Sequence, residues 1–488
     1  MTRLDQAAAK PSAAPDELAT LDATGLAAAI RARRLSSTEA LDAAIARIEA
    51  LNPRINAVVR KRYEQARTEL AEVAPDAHFA GVPMLIKDVV IAGEPFYNGN
   101  KAMAAADMRA SATDVFVTRM RKAGCVVMGE TNIPEFTSMP TTESRLHGPC
   151  RNPWDLDRSV GGSSGGAAAA VASLMVQVAQ SSDGGGSSRI PASANGLFTI
   201  KTSRGRTPLG PNSAGWLDIT SSKSFVTRSV RDFAGLLDAL GGPDLTETMV
   251  APRHEGSYSA ELGKSSAKLR IGMCQQIPGG FAMLDADAMA AVRQSAQLLS
   301  DLGHHVEEAA PETFTSAEAF SIMRSYWPIK LAMRVSAIEE QLKRPLTADD
   351  VEPSSYQLIE YARSHSMADL ARSLQRIRDF TNRSLAWWGS HDLLLTPTTG
   401  SLPPKLGALT ETVSKQGQEA ALRWAGLCSF ANITGQPAAS VPLYWSEQGL
   451  PIGTHLVANI GKEAMLLRLA AQLERAKPWI ERLPILHG

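Results

Sequence analysis

Two glycine- and serine-rich stretches carry the residue types from which an acyl-transfer site could be built. They read GGSSGG over residues 161–166 and DGGGSS over residues 183–188. In the second stretch three glycines directly precede Ser187 and Ser188. Because glycine has no side chain, successive backbone N–H groups can converge on one carbonyl oxygen and stabilise a developing oxyanion. The pattern therefore predicts a nest of backbone amides, with Ser187 or Ser188 as the nucleophile.

A phosphate-binding loop and a flexible linker are the alternative uses of these glycines and serines. A Walker loop needs GxxxxGK[ST], and neither stretch has the required lysine; the GxGxxG pattern is also missing. The intervening segment AAAAVASLMVQVA is apolar and helical in character, as expected of a buried element and not of a linker. We therefore favour the catalytic interpretation.

A catalytic serine needs a base, and the sequence offers Lys87. None of the nine histidines lies in a GxSxG setting. Lys87 follows the apolar run VPMLI, where a lysine is unexpected unless it has a role. Taken alone, this position is better explained by a lysine that extends to solvent or pairs with Asp88. Serine–lysine arrangements do occur among the convergent variants of the catalytic triad, so this pairing has a precedent.

Four ordered motifs between Gly81 and Pro211 resemble the amidase signature family of serine hydrolases. They read GVPMLIKD, NPWDLDRSVGGSSGG, DGGGSSRIPAS and KTSRGRTPLGP, and the later LLLTPTT and NITGQPAASVP resemble the family's C-terminal part. The resemblance begins near Leu26 and extends to the last predicted helix. Within the family the chain resembles bacterial amidases of the nylon-oligomer (cyclic-amide) hydrolase and aryl acylamidase type. The implied activity is hydrolysis of carboxylic amides, with anilides, cyclic amides and carbamates as candidate substrates.

The resemblance implies a Ser-cisSer-Lys triad made of Lys87, Ser163 and Ser187. Ser163 falls on the serine whose preceding peptide bond is cis, and Ser187 on the nucleophile, which leaves Ser188 at a variable position. Desolvation of Lys87 is expected to lower its pKa from about 10.4 to about 7, so that the neutral amine acts as a base. It would accept a proton from Ser163, which accepts one from Ser187 as the acyl-enzyme forms. No metal and no organic cofactor is implied.

The same resemblance assigns the oxyanion hole to four backbone N–H groups, those of Gly184, Gly185, Gly186 and Ser187. Asp183 and Arg189 would anchor this nest without taking part in the chemistry. Ser188 departs from the family pattern, in which an apolar residue is usual. Thr199 and Thr202 also depart from it, because glycine and proline are common there. We expect these departures to affect packing, efficiency or specificity more than the type of reaction.

Two other functions are compatible with the same motifs. The glutaminase (A) subunit of a tRNA-dependent amidotransferase shares them, and it would release ammonia from glutamine for a partner chain. A non-catalytic binding protein on the same scaffold is the second alternative. The presence of Lys87, Ser163 and Ser187 argues against it.

The elements that must position these residues alternate between strands and helices, which predicts an α/β fold. We expect a helix from about Leu26 through Asn52, a buried strand within Gly81–Gly93 and a helix over Ala167–Gln180. The resemblance implies the amidase-signature fold, in which helices cover both faces of a large, mixed and twisted β-sheet core.

We expect residues 1–20 to form a flexible arm and residues 21–488 to form a single domain. Its catalytic core would span about 75–230, and a helical insertion over about 284–390 would shape the substrate pocket. The C-terminal part of the core would span 391–488. Each aromatic residue of the insertion is better explained by core packing, but four are candidates for the pocket wall: Tyr326, Trp327, Trp387 and Trp388.

The composition restricts the possible partners. The 488 residues include 50 Lys plus Arg and 50 Asp plus Glu, and a net charge of zero argues against nucleic acid or an anionic membrane as an obligate partner. Residues 1–18 lack the apolar core of a signal peptide. Four scattered cysteines favour free thiols in a reducing compartment. We therefore expect a cytoplasmic protein whose partner is a small amide substrate, with a homodimer left open.

Overall fold

The computed structural model describes residues 15–87, 89–211, 218–245, 247–409 and 415–484. The α-helices are α1 Pro15–Thr20, α2 Ala23–Arg31, α3 Ser37–Ile55, α4 Tyr63–Leu70, α5 Lys101–Ala105, α6 Val115–Lys122, α7 Gly165–Ala172, α8 Arg189–Asn195, α9 Val230–Leu240, α10 Tyr258–Glu261, α11 Ala286–Asp301, α12 Glu312–Thr315, α13 Glu318–Leu342, α14 Pro353–Arg363, α15 Met367–Leu385, α16 Lys415–Ala425, α17 Ser429–Thr434 and α18 Glu463–Ala476. Short 3-10 helices span Glu135–Thr137, Pro278–Gly280 and Ala386–Gly389. No helix in the described ranges is both long and apolar enough to cross a bilayer.

The strands are β1 Val58–Lys61, β2 Val82–Ile86, β3 Cys125–Thr131, β4 Glu143–Ser144, β5 Gly148–Pro149, β6 Arg151–Asn152, β7 Asp155–Ser159, β8 Val178–Asp183, β9 Thr199–Lys201, β10 Ser222–Thr227, β11 Arg270–Met273, β12 His305–Glu308, β13 Leu393–Pro397, β14 Ala438–Trp445 and β15 Pro451–Ala458. Two larger sheets contain most of them. Their strand orders are β1–β3–β2–β8–β10 and β12–β11–β13–β15–β14–β9.

Both larger sheets are mixed, and they meet edge to edge. In the first sheet β2 is parallel to β3 and β8, whereas β10 is antiparallel to β8. In the second, β11 is parallel to β12 and β13, whereas β15 is antiparallel to β13 and β14. Two backbone hydrogen bonds between Phe198 and Thr227, 2.9 and 3.0 Å long, join the sheets between β9 and β10. The prediction of a large mixed sheet core is therefore confirmed.

Helices cover both faces of the first sheet. Along β2, Val82, Met84 and Ile86 belong to an apolar cluster that includes helices α6, α9 and α18. Leu85 belongs instead to a cluster that includes α3 and α7. This alternation follows from the two-residue period of a strand whose two sides are both buried. It confirms the predicted helical layers on both faces.

The small-residue helix is shorter than the sequence suggested. α7 ends at Ala172, and Leu174 then adopts a left-handed backbone with φ 60°. Val178–Asp183 forms β8, which lies between β2 and β10. The helix predicted over Ala167–Gln180 was therefore wrong in its second half. A short, fully buried apolar run has no periodicity that separates a helix from a strand.

The described part of the N-terminal segment is folded, although the composition of residues 1–20 predicts a flexible arm. They form α1, and Leu18 is buried in the same apolar cluster as β2. Arg228 Nη1 donates a hydrogen bond to the carbonyl of Ala19 at 3.3 Å. A buried leucine and a satisfied carbonyl explain why this turn is ordered. Residues 1–14 of the predicted arm lie outside the described residues.

The segment predicted as a helical insertion contains α11 to α15 and one short strand, β12. Its longest helix is α13, with 25 residues. Apolar residues of α12, α13 and α15 share one buried cluster, among them Phe314, Ile322, Tyr326, Ile377 and Phe380. This packing fixes α13, which forms one wall of the cavity described below.

Candidate active site

Lys87 directly follows β2 and is 4% exposed. Its Nζ donates hydrogen bonds to Ser163 Oγ and to Ser182 Oγ, both at 2.8 Å. Its backbone N–H donates to Gln180 Oε1 at 2.9 Å, which fixes the chain where it leaves the strand. The side-chain nitrogen therefore lies inside the protein and not in solvent. Asp88, the other partner considered for this lysine, lies outside the described residues.

Ser163 lies in the segment that leads into α7, and the Gly162–Ser163 peptide bond is cis. The serine is 1% exposed. A Cβ atom at Gly162 would lie 2.4 Å from Thr141 O, and one at Gly165 would lie 2.3 Å from Thr142 Oγ1. Glycine is therefore required here by the close approach of neighbouring atoms.

Ser187 and Ser188 have different surroundings. Ser187 lines the same cavity as Ser163, and its carbonyl accepts a hydrogen bond from Ser164 N–H at 3.1 Å. Ser188 is fully buried, and its hydroxyl donates to Ser181 Oγ at 2.8 Å. The two glycine–serine loops are thus tied together, and the structure brings Ser163 and Ser187 to one cavity.

The backbone amides of the glycine nest differ in whether they donate a hydrogen bond to another protein group. Gly186 N–H donates to Asp183 Oδ1 at 2.8 Å, which removes it from the predicted set of oxyanion donors. Gly186 has φ 125°, and a Cβ there would lie 2.6 Å from Ile190 Cδ1, so its conformation demands glycine. Among the described residues, three neighbouring amides donate to no protein acceptor, those of Gly184, Gly185 and Ser187.

Asp183 and Arg189 form a fully buried ion pair at the base of the nest, with Arg189 Nε 2.9 Å from Asp183 Oδ2. Burial alone would raise the pKa of Asp183, but the charge and hydrogen bonds of Arg189 hold it well below its usual range. Asn432 Nδ2 donates to Asp183 Oδ1 at 2.9 Å, and Arg189 Nη1 lies 2.8 Å from His455 Nε2. Burial, with the charge of Arg189, lowers the pKa of His455 well below its usual value. The ion pair therefore anchors the nest.

The three positions that depart from the family pattern are buried and hydrogen-bonded. The hydrogen bond of Ser188 is given above. Thr199 Oγ1 donates to Phe225 O at 2.5 Å, and Thr202 Oγ1 lies 3.4 Å from Thr207 Oγ1. Within the described residues, none of the three lines the cavity. Their hydroxyls form hydrogen bonds with buried groups, so these residues contribute to the packing around the site.

Cys428 packs against the other side of the nest, where a Cβ at Gly186 would lie 2.7 Å from its Cβ. Its carbonyl accepts a hydrogen bond from Arg189 Nη1 at 3.0 Å. Burial raises the pKa of this thiol to about 12. All four cysteines are unpaired and buried.

A cavity of about 370 Å³ lies beside Ser163 and Ser187. Its apolar lining includes Val90, Phe96, Met103, Met108, Phe136, Leu209, Trp327, Leu331 and Ile338. Its charged lining residues are Arg109, Asp218, Lys223, Lys330 and Arg334. The cavity therefore combines an apolar wall with a small number of polar groups, as small-molecule sites do.

Trp327 lines this cavity, whereas the other aromatic residues singled out from the sequence do not. Its ring lies against the nest, because a Cβ at Gly184 would be 3.3 Å from Cη2 of the indole. Tyr326 is buried in the apolar cluster of α13 and α15. Trp387 and Trp388 contact each other with ring centroids 4.8 Å apart, outside the described cavity lining.

Most of the chain matches one protein family model. Residues 39–467 match the family model described as Amidase. The chain belongs to the amidase signature family. This match covers most of the chain and includes Lys87, both glycine–serine loops and α13.

This amidase is similar to the 6-aminohexanoate-cyclic-dimer hydrolase of Paenarthrobacter ureafaciens, with 38% identity over 95% of this chain and 96% of the relative. The solved structure of 6-aminohexanoate cyclic dimer hydrolase matches with a TM-score of 0.91 and 38% identity, covering 96% of this chain and 99% of the other. A bacterial aryl acylamidase structure matches with a TM-score of 0.85 and 26% identity, covering 95% and 97%. The family, the amidase-signature fold and an amide hydrolase activity are thereby confirmed.

Ser182 is a residue of the amidase site that sequence reasoning missed. It lies on β8, accepts a hydrogen bond from Lys87 Nζ and lines the cavity. Gln180, two positions earlier, accepts from the backbone of the same lysine. Alternate residues of a strand share a face, so this spacing would have indicated Ser182 once residues 178–183 had been recognised as a strand.

Proposed function

We propose that this amidase hydrolyses a small carboxylic amide through an acyl-enzyme on Ser187, with Ser163 and Lys87 as a proton relay. The hydrogen bond of 2.8 Å between Lys87 Nζ and Ser163 Oγ, beside a cavity that Ser187 lines, carries the proposal. At this separation a neutral lysine can accept the Ser163 proton. Ser163 in turn can accept the proton of Ser187.

In the first half-reaction Ser187 Oγ attacks the amide carbon while its proton passes to Ser163 and the Ser163 proton passes to Lys87. The amides of Gly184, Gly185 and Ser187 hold the oxyanion of the tetrahedral intermediate. The carbon–nitrogen bond then breaks, and the relay returns a proton to the leaving nitrogen. Water attacks the resulting ester, releases the carboxylic acid and regenerates Ser187.

The proposed substrates are cyclic or linear amides with aliphatic chains. A relative is named for hydrolysis of a cyclic dimer of 6-aminohexanoate, and it shares 38% identity with this chain. The cavity of about 370 Å³ lies in the size range of small-molecule pockets, and its apolar wall suits a methylene chain. Hydrolysis of anilides and carbamates is the extension to be tested.

Assays of the purified chain test this proposal. The panel contains the cyclic dimer of 6-aminohexanoate, a fatty-acid 4-nitroanilide, an aryl carbamate and glutamine. We expect turnover of the cyclic amide or the anilide without a partner chain, and its loss in Ser163→Ala. Ammonia release from glutamine alone would favour the glutaminase subunit, and binding without any turnover would favour a non-catalytic protein.

A further inference from the structure

The cavity wall carries more positive than negative charge. Four of its lining residues are cationic, and Asp218 is the acidic one among the described lining residues. Three of the cations are each paired with a carboxylate: Arg109 with Asp107 at 2.8 Å, Lys223 with Asp114, and Lys330 with Asp218 at 2.7 Å. Their charges are therefore already compensated within the protein.

Arg334 is the fourth cation, and no carboxylate of the described residues forms an ion pair with it. Its Nη1 donates to Phe136 O at 3.0 Å and to Thr137 Oγ1 at 3.2 Å. These two contacts hold the guanidinium in place through one nitrogen. Within the described part of the chain, the edge formed by Nε and Nη2 donates no hydrogen bond, and such an edge can bind a carboxylate with two parallel hydrogen bonds.

Arg334 lies on the face of α13 that lines the cavity, beyond Trp327. Trp327, Lys330, Leu331, Arg334 and Ile338 all line the cavity, as residues three or four apart on one helical face do. The Trp327 ring lies against the nest. Arg334 follows Trp327 by seven residues, which places it about 10 Å further along the helix. Leu331 lies between them on the same wall.

We propose that Arg334 is a specificity-determining residue that binds a carboxylate at the far end of the substrate. The preferred substrates are then amides whose aliphatic chain ends in a carboxylate that reaches Arg334, such as diacid monoamides and acylated ω-amino acids. A carboxylate would form charge-assisted hydrogen bonds with this guanidinium, while the chain contacts Leu331. This inference rests on the proposed amide hydrolysis and names its substrate class.

Arg334 also supports a turn with unusual backbone geometry. Phe136 and Thr137, its hydrogen-bond partners among the described residues, have φ 53° and 57°, in the left-handed region that non-glycine residues seldom adopt. Loss of this support would affect every substrate alike. Loss of carboxylate binding would affect only substrates that carry the charge, so a comparison of matched substrates separates the two roles.

The experiment uses two substrate series. The first contains mono-4-nitroanilides of linear diacids from succinic to sebacic acid, and the second contains hexanoyl amides of ω-amino acids of increasing length. Each compound is paired with its neutral analogue, in which a terminal alcohol replaces the carboxylate. The enzymes are the wild type, Arg334→Gln, Arg334→Lys and the control Arg324→Gln, because Arg324 is exposed on the same helix and does not line the cavity.

We expect the wild type to favour the carboxylate form in at least one series by about 10- to 100-fold in kcat/KM, the size of a charged hydrogen-bonded contact. The preference should peak at the chain length that reaches Arg334 and should lie mainly in KM. Arg334→Gln should abolish it, Arg334→Lys should retain part of it, and Arg324→Gln should preserve it.

Equal kcat/KM for both forms in both series of the wild type, or a preference that survives Arg334→Gln, would overturn the inference. If Arg334→Gln does not fold, the wild-type preference and the Arg334→Lys variant decide the matter. Failure of the proposed hydrolysis would show differently, as no turnover of any compound. Calorimetry with Ser187→Ala then measures whether the carboxylate form still binds more tightly than the alcohol, and equal affinities would refute the subsite.

Discussion

Ser187 and Ser188 are adjacent and carry the same hydroxyl group, but their surroundings differ. The first lines the cavity, and the second donates a hydrogen bond to Ser181 in the interior. A fluorophosphonate should therefore add one phosphonyl group to the wild type and to Ser188→Ala, and none to Ser187→Ala. Intact-mass analysis gives the count. Labelling of Ser187→Ala at the wild-type rate would show that another residue is the nucleophile.

Lys87 makes a second prediction at the scale of single residues. Lys87→Ala should lower kcat by about 10²- to 10⁴-fold, because the relay loses its proton acceptor. Lys87→Arg should be no better, since a guanidinium stays protonated throughout the working pH range. Wild-type activity should rise with pH as the lysine loses its proton, and steady-state kinetics across pH tests both statements.

Ser182→Ala is the matched control for the lysine variants. It removes a second hydroxyl that accepts a hydrogen bond from Lys87 Nζ, but it leaves the bond to Ser163 in place. We expect a smaller loss of kcat than in Lys87→Ala. Near-normal turnover of Lys87→Arg would show that the lysine serves as a fixed charge, and the relay would have to be abandoned.

At the scale of elements, the site depends on the connection between β8 and α8. Gly186 there has φ 125°, and a Cβ would meet Ile190 Cδ1 at 2.6 Å, whereas a Cβ at Gly185 would lie 3.5 Å from Met323 Cε. Gly186→Ala should therefore displace the nest, lower kcat by about 100-fold or more and destabilise the fold by about 1–3 kcal/mol. Gly185→Ala should cause clearly smaller changes.

Chemical denaturation and steady-state kinetics on both glycine variants measure these effects. The comparison is informative because both substitutions add one methyl group to the same loop and retain both backbone amides. Equal losses in the two variants would mean that any side chain in the nest is harmful. The specific role assigned to the backbone of Gly186 would then be refuted.

The same loop shows where prediction from sequence succeeds and where it ends. Family motifs located Lys87 and the two loops, because spacing and residue type persist in a sequence. They did not reveal that the Gly186 amide donates to Asp183. The three glycines are the same residue type, and the directions of their N–H groups depend on the folded backbone. The boundary between α7 and β8 was missed for a related reason, because buried alanine and valine suit either element.

Arg334 could not be recognised as a cavity residue from sequence. It lies 147 positions after Ser187 on a helix with apolar and polar residues around it, and no local motif connects the two. Tertiary packing places its guanidinium near Phe136 and Thr137, because apolar residues of α13 share a buried cluster with Phe136. Residues that determine specificity in this way depend on tertiary contacts, which local patterns do not encode.

At the scale of the whole molecule, a single guanidinium connects the two ends of the described chain. Arg228 donates to the carbonyls of Ala19 at 3.3 Å, Thr20 at 3.2 Å and Ile480 at 2.7 Å. Arg228→Met should leave these carbonyls without their donor and cost about 2–4 kcal/mol of unfolding free energy. Both α1 and residues 478–484 should then show faster amide exchange together.

Hydrogen exchange measured by mass spectrometry, combined with urea denaturation, tests this coupling. Arg253→Met is a suitable control, because Arg253 is exposed. The central strand β2 should exchange faster only by the factor that the loss of global stability sets, and less than the two ends, since these hydrogen bonds of Arg228 do not reach β2. Faster exchange at one end alone would show that the two ends are held independently.

The position of Cys428 gives the enzyme an intrinsic reporter of loop opening. Its thiol is fully buried against the nest and holds its proton at neutral pH, so an alkylating reagent can reach a reactive thiolate only while this region is open. The rate of modification at Cys428 therefore measures how often the nest opens. Ligands that bind beside Ser187 should slow it, and an experimenter can follow occupancy of the site without observing any turnover.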